Sequence, residues 1–275
     1  MIFKPLPLSE PLSKYIERIF YHKGYMPAHS IEKVVPSGNV FIIFEFDGFI
    51  RKTYDHNLQP NGYYTKVWVS GMHNSHINIS AHRNSEMLVV QFQSEGTYPF
   101  FKMEAISFSN LVIPAEKLFG KTILEIRKEV TNQETINGKL KVVEQWLLDI
   151  FDKKLEPPNE IFRIVLTLKE HPFSSHKELI ENYSKTQKHL IHQFKKYCGL
   201  TPKELHRIFR FSRVLATIQQ KQKIQWTEIV YETGFSDQSH FIKEFQEFSG
   251  FNPSEYIKNG YDKSMPNFFP LDREG

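Results

Sequence analysis

A single cysteine, Cys198, in 275 residues excludes an internal disulfide and any metal site built on several thiolates. No run of about eighteen apolar residues long enough to span a bilayer is present. Residues 1–8, broken by Pro5 and Pro7, are too short for a secretory apolar segment. A soluble, cytoplasmic chain with no membrane partner is the expectation. Also missing are a nucleophile elbow, a phosphate-cradling glycine loop and a paired-carboxylate motif. No catalytic residue, cofactor or metal ligand is assigned, and the chain does not read as an enzyme.

A net charge of +4 says little, but its distribution says more. Residues 185–223 hold ten basic side chains, Lys185, Lys188, Lys195, Lys196, Lys203, Arg207, Arg210, Arg213, Lys221 and Lys223, against one acid, Glu204. Residues 224–260 hold six acids against Lys243 and Lys258. The basic block is an electrostatic footprint for phosphate; its bland alternative is a solvated helical face.

The first half reads as strand. Val40 to Phe46 is rich in β-formers, Asp47-Gly48 suits a two-residue hairpin turn, and Phe49 to Tyr54 returns. Residues 66–70, 77–81 and 87–92 are further strands, which suggests a small barrel or sandwich. Helix takes over after about Ala115. Ile136, Leu140, Val143, Leu147 and Ile150 form one apolar stripe. It serves either an internal core or, because its spacing averages 3.5, a coiled-coil seam, and a homodimer through residues 136–150 is one expected partner. Glu156-Pro157-Pro158-Asn159 breaks the helix and is the candidate linker. Helices follow to about residue 260, and the tail from Tyr261 reads as irregular.

An internal repeat is the strongest signal. Residues 192–205 align without gaps on residues 243–256: Phe194 on Phe245, Tyr197 on Phe248, Gly199 on Gly250, Pro202 on Pro253 and Glu204 on Glu255. Upstream, Leu190 matches Phe241 and Thr186 matches Asp237. Such a match implies a duplicated supersecondary unit. Thr186 and Asp237 suit helix N-caps, the glycines suit left-handed C-terminal positions, and the prolines suit the first turn of the next helix. A shorter helix precedes each: Ser175 to Glu178 opens one with a capping-box pattern, and Thr227 to Gly234 is its counterpart. Short helix, tight turn, longer amphipathic helix is the helix-turn-helix pattern. Pro202 to about Gln220 reads as one connecting helix, roughly 28 Å long at 1.5 Å per residue.

The stretch Gly234-Phe235-Ser236-Asp237-Gln238-Ser239-His240-Phe241-Ile242-Lys243-Glu244-Phe245, followed by Gly250-Phe251-Asn252-Pro253-Ser254-Glu255-Tyr256, resembles the signature of the AraC/XylS family of transcriptional regulators. The resemblance covers roughly residues 161–258. It implies a C-terminal domain of seven helices, double-stranded DNA and RNA polymerase as partners, and base contacts from Gln187, Lys188, Ile191 and His192 in the first recognition helix and Gln238, Ser239, His240 and Lys243 in the second. The chemistry agrees independently: Gln pairs with adenine, Lys with guanine, Ser with either, and Ile meets a thymine methyl. Lys195, Lys196, Arg207 and Arg210 are the expected phosphate contacts. Two departures stand out: Tyr183 and Ser184 replace the glycine-containing turn of many members, and the second unit is acidic.

The chain is therefore expected to be α+β. A small β-barrel or cupin-like domain with helices spans residues 1–156, for effector binding and dimerisation. An all-α domain of two helix-turn-helix units joined by a long helix spans residues 157–260, and a tail spans 261–275. The stretch Met72-His73-Asn74-Ser75-His76, with His82 and Glu86, invites a cupin-type metal reading. The alternation of His76, Asn78, Ser80 and His82 with Ile77, Ile79 and Ala81 argues against it by turning the histidines outward. A metal-binding cupin with a helical appendage is the rival class. A DNA-repair alkyl acceptor is the third, although one cysteine cannot build its metal cluster. The aromatic strands from Phe41 to Phe49 and Trp68 form either an effector pocket or plain core. Effector, operator and direction of regulation are left open.

Overall fold

A computed structural model describes residues 1–220, 224–258 and 267–272; Lys221, Lys223 and Tyr261 lie outside the described residues. Eleven described strands are β1 (Ile2–Leu6), β2 (Ile16–Tyr25), β3 (Ile31–Val34), β4 (Val40–Glu45), β5 (Arg51–Tyr54), β6 (Pro60–Tyr64), β7 (Val67–Ser70), β8 (Ile77–Ser80), β9 (Ser85–Phe92), β10 (Val112–Pro114) and β11 (Phe268–Pro270). They make two sheets, ordered β1-β2-β9-β4-β7-β10 and β11-β3-β8-β5-β6, and the pairings are antiparallel. The helices are α1 (Tyr98–Phe101), α2 (Glu116–Phe119), α3 (Thr122–Thr131), α4 (Ile136–Ile150), α5 (Asn159–Glu170), α6 (His176–Ile180), α7 (Gln187–Cys198), α8 (Pro202–Gln220), α9 (Trp226–Glu232), α10 (Gln238–Ser249) and α11 (Pro253–Lys258). The chain is α+β, sheet first and helical after.

Strand β4 sits in the middle of the first sheet, so Val40, Ile42, Ile43 and Phe44 are all buried, the near-continuous apolar run of a strand covered on both faces. One cover is α4: Trp146 meets Phe44 and Phe119 edge-on, with centroids 5.9 and 5.3 Å apart. Its apolar stripe faces inward, with Leu140, Val143 and Leu147 fully buried. Of the two expected alternatives, the centre of the stripe takes the internal core, while Ile136 and Ile150 at its ends are half-buried. Phe44 is core likewise, and Trp68 donates its indole N–H to Glu45 at 3.0 Å.

The Asp47-Gly48 hairpin is also corrected. Gly48 does take a left-handed φ of 79°, but β5 pairs with β6 and β8 instead of returning along β4. The chain crosses between sheets here, and the crossing is stapled by Arg51. Its guanidinium donates to Glu45 at 2.9 and 2.6 Å and to Asp47 at 2.5 Å. A periodicity argument sees two β-rich runs and a turn and cannot see which sheet the second run joins.

Polar residues of β8 face inward. Asn78 and Ser80 are buried while Ile77 and Ile79 are half-exposed, so the expected outward face is corrected. His76 packs against α10: a Cβ on Gly250 would lie 2.7 Å from its ring. The tail differs from expectation too, since Phe268–Pro270 extends the second sheet beside β3. There Asp272 accepts the backbone N–H of Ile31 at 2.7 Å, and Phe269 packs on Tyr256 at 4.7 Å. The buried apolar residues of sheets and helices form one continuous cluster.

Arg51→Ala leaves Glu45, 1 % exposed, without its guanidinium. A stability loss of about 3–5 kcal/mol is expected on urea unfolding, and a loss below about 1 kcal/mol would contradict the staple.

Candidate nucleic-acid interface

The repeat read from the sequence folds as two matching units. Thr186 caps α7 by accepting the His189 N–H at 3.2 Å, and Asp237 caps α10 by accepting the His240 N–H at 2.8 Å. That bond, with Ser236, holds the Asp237 carboxyl below its usual pKa. Gly199 and Gly250 end these helices at φ of 81° and 68°. Reciprocal capping boxes open the next helices, Thr201 with Glu204 and Asn252 with Glu255. Ser175 makes no side-chain cap to α6, so the capping box expected there is corrected. Leu190, Phe194 and Tyr197 are buried on the inner face of α7, as are Phe241, Phe245 and Phe248 on α10.

The opposite faces are open. Gln187, Lys188 and His192 on α7 are exposed, with Ile191 half-buried between them, and Gln238, Ser239, His240 and Lys243 on α10 are all exposed. The four expected phosphate contacts are brought to different places. Lys195 is exposed. Lys196 lies over the rings of Tyr98 and Tyr197 at 4.8 and 5.2 Å. Arg207 and Arg210, on α8, are engaged by Glu244 and Glu247 of α10.

The turn lacking glycine in the first unit has a substitute. Ser184 donates its backbone N–H and its hydroxyl to Glu160 of α5, both at 2.9 Å, which holds that carboxyl below its usual pKa. Tyr183 stacks on His189 at 5.9 Å and lies 2.6 Å from its Nδ1. In the second unit Gly234 takes the left-handed position, at φ 67°. Burial pushes the Cys198 thiol well up, with Glu95 adding to it, so it is a packed helix-end residue without nucleophilic character.

Sequence reasoning missed the roles of Glu160, Glu244 and Glu247. A signal for two of them was present: Arg207/Arg210 and Glu244/Glu247 are pairs of opposite charge with the same spacing of three, each pair on one face of its helix.

Residues 180–259 match the family described as a helix-turn-helix domain. The chain carries an AraC-type helix-turn-helix domain. It is accordingly a DNA-binding transcriptional regulator. Ahead of the AraC-type domain, residues 5–114 match a domain of unknown function (DUF6597). No curated protein matches the sequence. Among solved structures, ToxT of Vibrio cholerae is 13 % identical, with 87 % of this chain and 98 % of that one covered at a TM-score of 0.45. The unsaturated fatty acid-bound ToxT of Vibrio cholerae strain SCE256 is 13 % identical, with 87 % and 94 % covered at a TM-score of 0.43. Likenesses this distant bear on no functional argument. No helix among the described residues is long and apolar enough to cross a membrane.

A Cβ on Gly199 would lie 2.0 Å from Ser109 Oγ and 3.0 Å from the Ala105 carbonyl, whereas one on Gly250 meets the flexible end of Lys33 and the His76 ring. Both alanine variants should be destabilised by their positive φ. Gly199→Ala is expected to lose more, by about 1 kcal/mol or greater in thermal unfolding, and the reverse order would contradict the packing described.

Proposed function

We propose that this regulator reads two successive major-groove segments on one face of DNA, α7 entering one and α10 the other. The observation behind this reading is the pair of matching helices, each capped, each ended by a left-handed glycine, each with an open polar face, mounted on one uninterrupted helix. The nineteen residues of α8 span about 28 Å, and successive grooves lie about 34 Å apart. A modest DNA bend or helix tilt closes that gap and adds shape readout. Gln187, Lys188, Ile191 and His192, with Gln238, Ser239, His240 and Lys243, are the proposed base readers. Lys195 is the best-placed phosphate contact; Lys196, Arg207 and Arg210 would have to share their charge with internal partners. The first unit, with free lysines, supplies most of the affinity.

The N-terminal half is proposed to modulate DNA binding through the loop between β7 and β8. Asn74 lies beside Glu204 at the start of α8, and the His76 ring lies against Gly250 and the Phe248 backbone at the end of α10. Burial and the neighbouring Lys33 push the His76 pKa down to about 4, so it packs there as a neutral ring. The same loop walls a cavity of about 380 Å³ lined also by Thr53, Asn61, His73 and Asn78, a size suited to a small polar effector.

Fluorescence anisotropy with a duplex enriched from a random pool, and with its scrambled counterpart, tests the reading across a salt series. Lys188→Ala with His192→Ala should erase the preference for the enriched duplex. Lys195→Ala should weaken both and lower the salt slope by about one. Failure to bind any duplex at low salt would overturn the proposal. Asn74→Ala and His76→Ala, both remote from the open faces, should each shift DNA affinity. Unchanged affinity in both removes this loop from control.

A further inference from the structure

The second recognition helix is fastened to the connecting helix by a clamp that the first unit does not show. Glu244 is 3 % exposed on the inner side of α10. It accepts from Arg207 Nε at 2.9 Å and from Arg210 at 2.9, 2.6 and 2.6 Å. Glu247 takes the outer edge of Arg207 as a two-bond fork at 2.9 and 2.5 Å. The guanidinium faces are held as well: Arg207 lies over Phe248 at 5.1 Å and Arg210 over Phe235 at 4.4 Å. Phe211 of α8 packs on Phe245 and Phe248, but apolar contact is non-directional and tolerates rotation. Forked guanidinium–carboxylate pairs fix direction as well as distance, and a buried carboxylate needs its partners in place. His240 and Lys243 lie within one turn of Glu244, so any turn of α10 about its axis would swing them.

Resting on the two-helix reading above, we propose that Arg207, Arg210, Glu244 and Glu247 are positioning residues. They fix the pose of α10 on α8 and so set the spacing between the two DNA segments the chain accepts. Inserting one base pair moves the second segment by about 3.4 Å and rotates it by roughly 35°. A clamped α10 cannot follow that motion, whereas one held by apolar contacts alone can. The acidic character of the second unit has a purpose on this account: its carboxylates hold the linker arginines away from phosphate and exchange affinity for a fixed register.

The test uses the full chain and duplexes it enriches from a random pool, remade with one or two base pairs added to or removed from the segment between the two contacted blocks. The unaltered chain should lose about tenfold or more in affinity at each changed spacing, the scale of a misplaced base contact. Glu247→Gln breaks the outer fork at an exposed site, and Arg207→Lys keeps the charge while losing the fork. Both should flatten the spacing profile to less than about threefold and retain the sequence preference of each block, and Glu247→Gln should steepen the salt slope as Arg207 turns to phosphate. Glu244→Gln should act more strongly if circular dichroism shows it folded; if it does not fold, the first two variants decide the question. A lowered melting temperature with the spacing profile unchanged would mean the clamp only stabilises the fold and would overturn the proposal. A flat profile in the unaltered chain would instead overturn the two-helix reading, and this inference with it.

Discussion

The connecting helix α8 is the constraint on which the rest of the DNA-binding half depends. Leu205, Ile208, Phe209, Phe211, Val214, Leu215 and Ile218 are all buried along it, and α5, α7, α9 and α10 all pack against it. A helix covered on so many sides cannot bend without opening apolar surface to water, at roughly 25 cal/mol for each Å² exposed. It behaves as a beam, and the two recognition helices keep whatever separation it imposes. The ends differ in how they are secured. The first unit rests on the N-terminal half, where Ser109 donates to the Gly199 carbonyl at 2.9 Å and Tyr98 meets Tyr197 edge-on. The second is fixed to the beam itself by charge.

The two halves are joined by contacts of unlike kinds. Near the first unit they include close apolar packing: Phe209 fills the space beside Gly38 so tightly that a Cβ there would lie 2.8 Å from its ring. Near the second unit they mix polar and apolar kinds, with Lys33 over Phe251 at 4.0 Å, the His76 ring against Gly250 and Phe269 of β11 on Tyr256. Polar contacts of this type exchange readily with water, and apolar packing does not. On the proposal that the N-terminal half modulates DNA binding, the β7–β8 loop is where such an event would be felt.

Much of this was legible in the sequence, for identifiable reasons. The helical half was clear because its information is local: caps at Thr186 and Asp237, left-handed glycines at 199 and 250 and prolines at 202 and 253 each specify a backbone state from one residue, and the repeat showed them twice. The N-terminal half was less clear because its information is non-local. Strand β2, ten residues long, alternates too weakly to announce itself, and Arg51, which decides that the chain leaves the first sheet, reads as an ordinary surface cation until Glu45 and Asp47 are seen around it. Asn78 and Ser80 face inward against the usual rule because each finds a partner on β5 or just beyond it, the Asp55 carbonyl for Asn78 and the Lys52 N–H for Ser80. Within the candidate interface, the open residues of α7 and α10 were named through the family resemblance, which rests on the same local signals. The engagement of Arg207 and Arg210 did not, since pairing across two helices depends on their crossing, which no single segment encodes.

The central claim is that two helices held at fixed separation contact DNA together, and hydroxyl-radical footprinting of the full chain on a duplex enriched from a random pool tests it most directly. The account predicts two protected windows on the same face, about one helical turn of 10–10.5 base pairs apart. A single window, with the second helix leaving its groove open to cleavage, would contradict it.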